Sequence, residues 1–184
     1  ALAALPSIST VVVVPFLAGT DAAPDPRAPA LPGAIGWNRF GTPGARPEFV
    51  RLPFDHPLFI LYSSGTTGLP KCIVHGAGGT LLQHLKEHQL HTDLKQGDRL
   101  FFFTTCGWMM WNWLVSGLAA GATLLLYDGS PFHPSERVLF DYADDEGMTI
   151  FGTSAKYIDA VKKSGLVPKE THKLSSLRAM LSTG

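Results

Sequence analysis

Ser63-Ser64-Gly65-Thr66-Thr67-Gly68-Leu69-Pro70-Lys71 follows directly on the apolar run Leu58-Phe-Ile-Leu-Tyr62. A strand that empties into glycines and hydroxyls is built to hold an anion. Gly65 and Gly68 let the backbone come close to a charged group and turn its N–H donors inward. Ser63, Ser64, Thr66 and Thr67 add four hydroxyls, and Lys71 adds a positive charge. Hydrogen bonds to a charged partner contribute about 1.5–3 kcal/mol each, so three or four would hold a triphosphate tail. The spacing is not GxxxxGK, because Leu69 and Pro70 separate Gly68 from Lys71.

Working outward, the apolar runs alternate with helical spacing. Strands are predicted at 11–14, 58–62, 100–103, 123–127, 149–151 and 177–181. Helices are predicted at 80–91, 108–119, 135–145 and 154–163. Leu81, Leu82, Leu85 and Leu90 are read as the inward face of the first helix, and Ser135 as the N-cap of the third. The alternation predicts an α/β fold, a largely parallel sheet flanked by helices. Residues 20–47 are rich in Ala, Pro and Gly and read as a long surface loop, with Trp37 and Phe40 as its anchors.

The 184 residues carry 15 Lys+Arg against 15 Asp+Glu, which excludes the basic stripe of a nucleic-acid binder. With 45% hydrophobic and only 16% charged residues, the chain is also too apolar for disorder. Cys72 and Cys106 form no CxxC pair and no disulfide framework, so a reducing compartment, the cytoplasm, is expected. Residues 100–127 carry no charge and include a Gly117/Gly121 step, so a membrane span has to be weighed. Thr104-Thr105, Gly107 and Gly121-Ala-Thr break the stretch into strand, helix and strand, the pattern of elements buried on both faces. An uncharged start interrupted by Pro15, with no basic segment before it, argues against a signal peptide. The start at Ala1 and the end inside Leu181-Ser-Thr-Gly184 are read as marks of a piece of a longer protein.

The glycine- and hydroxyl-rich stretch resembles the phosphate-binding signature of the adenylate-forming superfamily, which includes acyl-CoA synthetases, luciferases and peptide-synthetase adenylation domains. The usual motif ends Pro-Lys-Gly, and Cys72 stands here in place of that glycine. The likeness continues through His75-Gly-Ala-Gly-Gly79, Cys106-Gly-Trp108, Thr153-Ser-Ala-Lys156 and Leu174-Ser-Ser-Leu177. Pro53-Phe-Asp-His-Pro57, Lys71-Cys-Ile-Val-His75, Leu82-Gln-His-Leu-Lys-Glu-His88, Gly107-Trp-Met-Met-Trp-Asn-Trp113 and Leu126-Tyr-Asp-Gly-Ser-Pro131 look most like the acetoacetate-activating branch.

The resemblance implies ATP, magnesium and coenzyme A as co-substrates and cofactor, and a carboxylic acid activated through an acyl-adenylate. It places residues 1–184 in the large N-terminal AMP-binding domain, with the family's mobile C-terminal domain outside this chain. It implies Ser63, Ser64, Gly65, Thr66, Thr67, Gly68 and Lys71 as phosphate contacts. Trp108, Met109 and Met110 would form an acyl-pocket wall that admits only a small acid, with Asn112 as donor to a ketone oxygen. Thr183 and Gly184 would lie where the acyl pocket meets the adenine site. The resemblance assigns no catalytic residue to this stretch, because the family's magnesium-binding Glu and catalytic Lys fall outside it. Small molecules are the expected partners. A sister ligase for acetate or propionate would share the loop, and a nucleotide-binding module would bind ATP without turnover.

From spacing alone, residues 108–119 carry apolar groups all round, as a fully buried helix does. His84-Leu-Lys-Glu-His88 matches HxxEH, which puts two imidazoles on one helix face where zinc would bind, although a surface helix is the plainer reading. Asp141, Asp144, Asp145 and Glu146 read as a solvated acidic face, and Lys156, Lys162, Lys163, Lys169 and Lys173 as surface charges.

Overall fold

The computed structural model describes residues 2–15, 31, 33–63 and 68–183, and divides the chain into two units, Ala1–Val50 and Arg51–Gly184. In the first unit, β1 (Val12–Val13) pairs in parallel with β2 (Ile35–Gly36), and a 3-10 turn follows at Trp37–Arg39. The strand expected at 11–14 therefore exists but is not buried: Val13 and Val14 are exposed. The segment read as a plain loop over 20–47 contributes β2 and the turn. Trp37 and Phe40, expected to be anchors, are 47% and 53% exposed and lean on each other at 6.1 Å.

The second unit begins with a hairpin, β3 (Pro57–Tyr62) antiparallel to β4 (Cys72–Gly76), and α1 (Ala77–Lys86) leaves its end. A π-helical turn, Glu87–His91, continues α1, closed by the Thr92 N–H donating five residues back to the Glu87 carbonyl at 2.9 Å. The chain then alternates: β5 (Arg99–Phe102), α2 (Met109–Ser116), β6 (Thr123–Leu125), α3 (Val138–Asp145), β7 (Ile150–Ser154), α4 (Ala155–Ser164), α5 (Pro168–Thr171) and β8 (Ala179–Thr183). The last four strands form one parallel sheet in the order β6-β5-β7-β8.

Strand alternation sorts the core into two layers. Phe101, Leu125 and Phe151 face Leu139, Phe140 and Ala143 of α3 and Tyr157 and Val161 of α4. Leu100, Phe102 and Ile150 point the other way, onto Trp113 and Leu114 of α2. The α/β reading thus holds, with helices on both faces of a parallel sheet. The charge-free stretch 100–127 is β5, α2 and β6, and no helix among the described residues is long and apolar enough to cross a membrane.

Local chemistry explains the shifted boundaries. Ser154 caps α4, its Oγ accepting the Tyr157 N–H at 3.2 Å, so the helix opens at Ala155. Ser135, by contrast, is not the cap of α3. Its carbonyl accepts the Val138 N–H and its Oγ the Arg137 N–H, a turn that delays the helix to Val138. The face of α1 is the reverse of the expectation. Leu81, Leu82 and Leu90 are exposed and Leu85 half-buried, while His84 and His88 are buried. The acidic group is likewise less solvated than its composition suggests. Asp144 accepts the backbone N–H groups of Lys173 and Leu174 at 2.8 and 2.6 Å, and Glu146 pairs with Arg99.

Candidate functional site

The stretch 63–71 joins β3 to β4, and its described residues are Ser63 and Gly68–Lys71. Its base is fixed by Ser63, whose N–H donates to the Lys71 carbonyl at 3.0 Å and whose Oγ accepts the Lys71 N–H at 3.2 Å. Ser63 and Lys71, eight residues apart, are thereby brought face to face. Gly68 has φ +153°, a conformation that L side chains rarely adopt, which accounts for glycine at that position. Ser64, Gly65, Thr66 and Thr67 lie outside the described residues, as does Gly184. Lys71 and Cys72 are exposed beside the turn. Cys72 pairs in register with Tyr62, and hydrogen bonding between the two side chains raises the Tyr62 phenol pKa.

A second group sits at the carboxyl edge of the parallel sheet, where open α/β sheets take their ligands. β5 ends at Phe102 and leads through Thr104–Thr105 to Trp108, the residue that precedes α2. The strand order turns at this place: β6 lies on one side of β5 and β7 on the other. Trp108 and Met109 are 60% and 46% exposed, while Met110 rests on the Leu100–Phe102 core layer and Asn112 is half-buried. This overturns the all-round burial expected of the helix: only Trp113 and Leu114 of α2 are buried hydrophobics, and the first turn is open. Thr183 ends β8 in register with Ser154 of β7, at the same edge. The hairpin belongs to a separate two-stranded sheet. The predicted residues thus fall in three places, of which the α2 start and the β8 end share an edge.

The HxxEH pair is buried and not carried on a surface helix. His84 Nδ1 meets Ser116 Oγ at 3.0 Å, and His88 Nε2 lies 2.9 Å from the Trp113 carbonyl and 3.0 Å from Ser116 Oγ. Burial lowers the pKa of both imidazoles, so they are neutral hydrogen-bonding groups between α1 and α2. Among the described residues no three His, Cys, Asp or Glu side chains converge to hold a metal. This histidine–tryptophan contact was missed in the sequence. Its signal was the i,i+4 histidine pair, which spacing cannot distinguish from a zinc pair. A separate groove of about 520 Å³ lies over α4, α5 and Met180, and none of the predicted site residues lines it.

Residues 2–184 match the sequence model described as AMP-binding enzyme. The chain belongs to the AMP-binding enzyme family. It is similar to an acetoacetyl-coenzyme A synthetase of Rhizobium meliloti (strain 1021), 64% identical over 94% of this chain and 26% of that protein. It is also 50% identical to an acetoacetyl-CoA synthetase of Danio rerio, over 98% of this chain and 27% of the relative. Its structure superposes on acetoacetyl-CoA synthetase from Streptomyces lividans with TM-score 0.84 at 46% identity, covering 98% of this chain and 26% of that one. The chain therefore spans about a quarter of the length of the proteins it matches. Within this member of the AMP-binding enzymes, the stretch 63–71 joins the two antiparallel strands β3 and β4, and the segment 107–113 stands at the edge of the parallel sheet.

Proposed function

We propose that the protein carrying this chain is an AMP-forming acid–thiol ligase that activates acetoacetate with ATP and transfers the acyl group to coenzyme A. The supporting observation is the 64% identity, over 175 residues, to a protein named acetoacetyl-coenzyme A synthetase. The proposal includes the place of residues 1–184 in a large N-terminal AMP-binding domain and a cytoplasmic setting, which suits two exposed free cysteines. In the first step a carboxylate oxygen attacks the α-phosphorus of ATP and the bond to the bridging oxygen breaks, releasing pyrophosphate. In the second, the coenzyme A sulfur attacks the acyl carbon and AMP leaves.

The residues of this chain supply binding and orientation. The hairpin turn holds the β- and γ-phosphates through Ser64, Thr66, Thr67 and the Lys71 ammonium, spreading the charge of the leaving pyrophosphate. Ser63, Gly65 and Gly68 set the backbone around it. Trp108, Met109 and Met110 bound the acid, Asn112 donates to its ketone oxygen, and Thr183 and Gly184 divide the acyl and adenine portions. Magnesium would accompany ATP. Among the described residues no three carboxylate, His or Cys side chains converge, and magnesium bound with ATP would be held largely by the phosphates and water.

The test uses the full-length protein with ATP, coenzyme A and acetoacetate. Equal amounts of AMP and thioester, with matching loss of free thiol, are expected. ADP in place of AMP, or AMP release without thioester, would overturn the proposal.

A further inference from the structure

We propose that Glu87 is a positioning residue for the acid pocket, acting through Trp113 to fix the pose of α2, with His88 bracing the backbone of the same residue. Trp113 is 5% exposed and has two polar groups to satisfy, its indole N–H and its backbone carbonyl. The carbonyl lacks its usual helical donor. The chain tightens into a 3-10 turn at Gly117–Ala120, and the Gly117 N–H donates to Leu114 instead. Side chains fill the gap: Ser116 Oγ donates to the Trp113 carbonyl at 2.6 Å and His88 Nε2 at 2.9 Å. A carbonyl only accepts, so Nε2 carries the His88 proton. The indole N–H goes to the neighbouring residue, Glu87 Oε2, at 3.1 Å. Glu87 is itself held by Gln83 Nε2 at 2.7 Å, and the His88 ring lies 4.1 Å from the Trp113 ring.

Consecutive residues of the π turn therefore grip both polar ends of one tryptophan. Both residues keep the i,i+4 spacing of a regular helix with α1, Glu87 to Gln83 and His88 to His84, which shares Ser116 Oγ with it. The floor beneath α2 is equally close, since a Cβ on Gly117 would meet Leu100 Cδ2 at 2.7 Å. α2 is eight residues long. Trp108 stands five positions before Trp113, about 8 Å along a helix, and a tilt of about 10° about Trp113 moves the far end by roughly 1.4 Å. The inference rests on the reading of Trp108, Met109 and Met110 as the acid wall.

The experiment measures acid-dependent ATP–pyrophosphate exchange of the full-length protein with acetoacetate and with 3-oxohexanoate, a longer 3-keto acid. Wild type is compared with Trp108→Gly, Glu87→Ala, Glu87→Gln and Trp113→Phe, and thermal melting is recorded for each. Glu87→Ala and Trp113→Phe each remove the indole bond. Each is expected to raise the KM for acetoacetate about tenfold and narrow the preference over the longer acid, with the KM for ATP unchanged. Glu87→Gln keeps an acceptor oxygen and is expected to stay within about twofold of wild type. If Trp108→Gly shifts the preference but Glu87→Ala and Trp113→Phe do not, the positioning role is overturned. It is equally overturned if their losses fall alike on acid and ATP and follow the melting temperature. A Trp108→Gly protein with unchanged preference would overturn the wall itself, and this inference with it.

Discussion

Truncating Lys71 to alanine isolates the charge that the hairpin offers a phosphate. The side chain is exposed, while the backbone of Lys71 is held on both its N–H and its carbonyl by Ser63 at 3.2 and 3.0 Å. None of those bonds uses the ammonium, so the hairpin survives the substitution and the melting temperature should not move. What is lost is one charge-assisted contact to a polyphosphate, about 1.5–3 kcal/mol. At 1.4 kcal/mol per factor of ten, that is a fall of roughly 10- to 150-fold in kcat/KM for ATP. The assay is steady-state ATP–pyrophosphate exchange by the full-length protein at saturating acid, with ATP varied. Lys71→Arg keeps the charge and should recover part of the loss; raising the salt concentration should shrink the difference. An unchanged kcat/KM for ATP in Lys71→Ala would refute the reasoning. A loss matched by a lowered melting temperature would move Lys71 from ligand binding to hairpin stability.

Three further outcomes test the fold that carries the site. The Tyr157 hydroxyl is buried without a hydrogen-bond partner among the described residues, and burial pushes its pKa up to about 12. Tyr157→Phe keeps the ring contacts with Phe140 and Phe151, so denaturant unfolding should show stability unchanged or raised by up to about 1 kcal/mol. A clear loss would reveal a partner for the hydroxyl. Gly117→Ala pushes a methyl against Leu100 and Leu124 at 2.7 and 3.3 Å and should destabilise by about 1–3 kcal/mol through overpacking. A neutral result would mean that α2 stands further from β5. His84 and His88 have pKa values lowered below 6.5, chiefly by burial. The unfolded chain therefore binds protons before the folded one does. Stability present above about pH 6.5 should fall on acidification, by at most about 1.4 kcal/mol per pH unit for each histidine. His88→Gln should flatten that slope in melts recorded from pH 7 to pH 5.

The parallel sheet was legible because its strands are short, apolar and flanked by turn residues. Leu100, Phe101 and Phe102 read as a strand from composition, and their alternation between two core layers follows from the pleat. The glycine- and hydroxyl-rich stretch stood out for a chemical reason, since few functions need four hydroxyls, two glycines and a lysine together. The antiparallel pairing of the strands on either side of it was not legible in the sequence. The face of α1 was misread because a hydrophobic count assumes that leucines point inward. Here the buried neighbour, Trp113, presents a carbonyl that lacks a helical donor, and imidazoles satisfy it where leucines would not. The π turn at Glu87–His91 leaves no mark in periodicity. The open first turn of α2 was hidden for the related reason that Trp108 and Met109 look like core from the sequence. Only packing shows that they stand at the edge of the sheet.

Acid-dependent ATP–pyrophosphate exchange of the full-length protein, with acetoacetate, acetate, propionate and 3-hydroxybutyrate compared in parallel, tests the central claim most directly. The account predicts exchange with all components present, strongest with acetoacetate and absent without acid. Exchange favouring acetate or propionate would contradict the assigned acid while keeping the chemistry, and no exchange with any small acid would contradict adenylation itself.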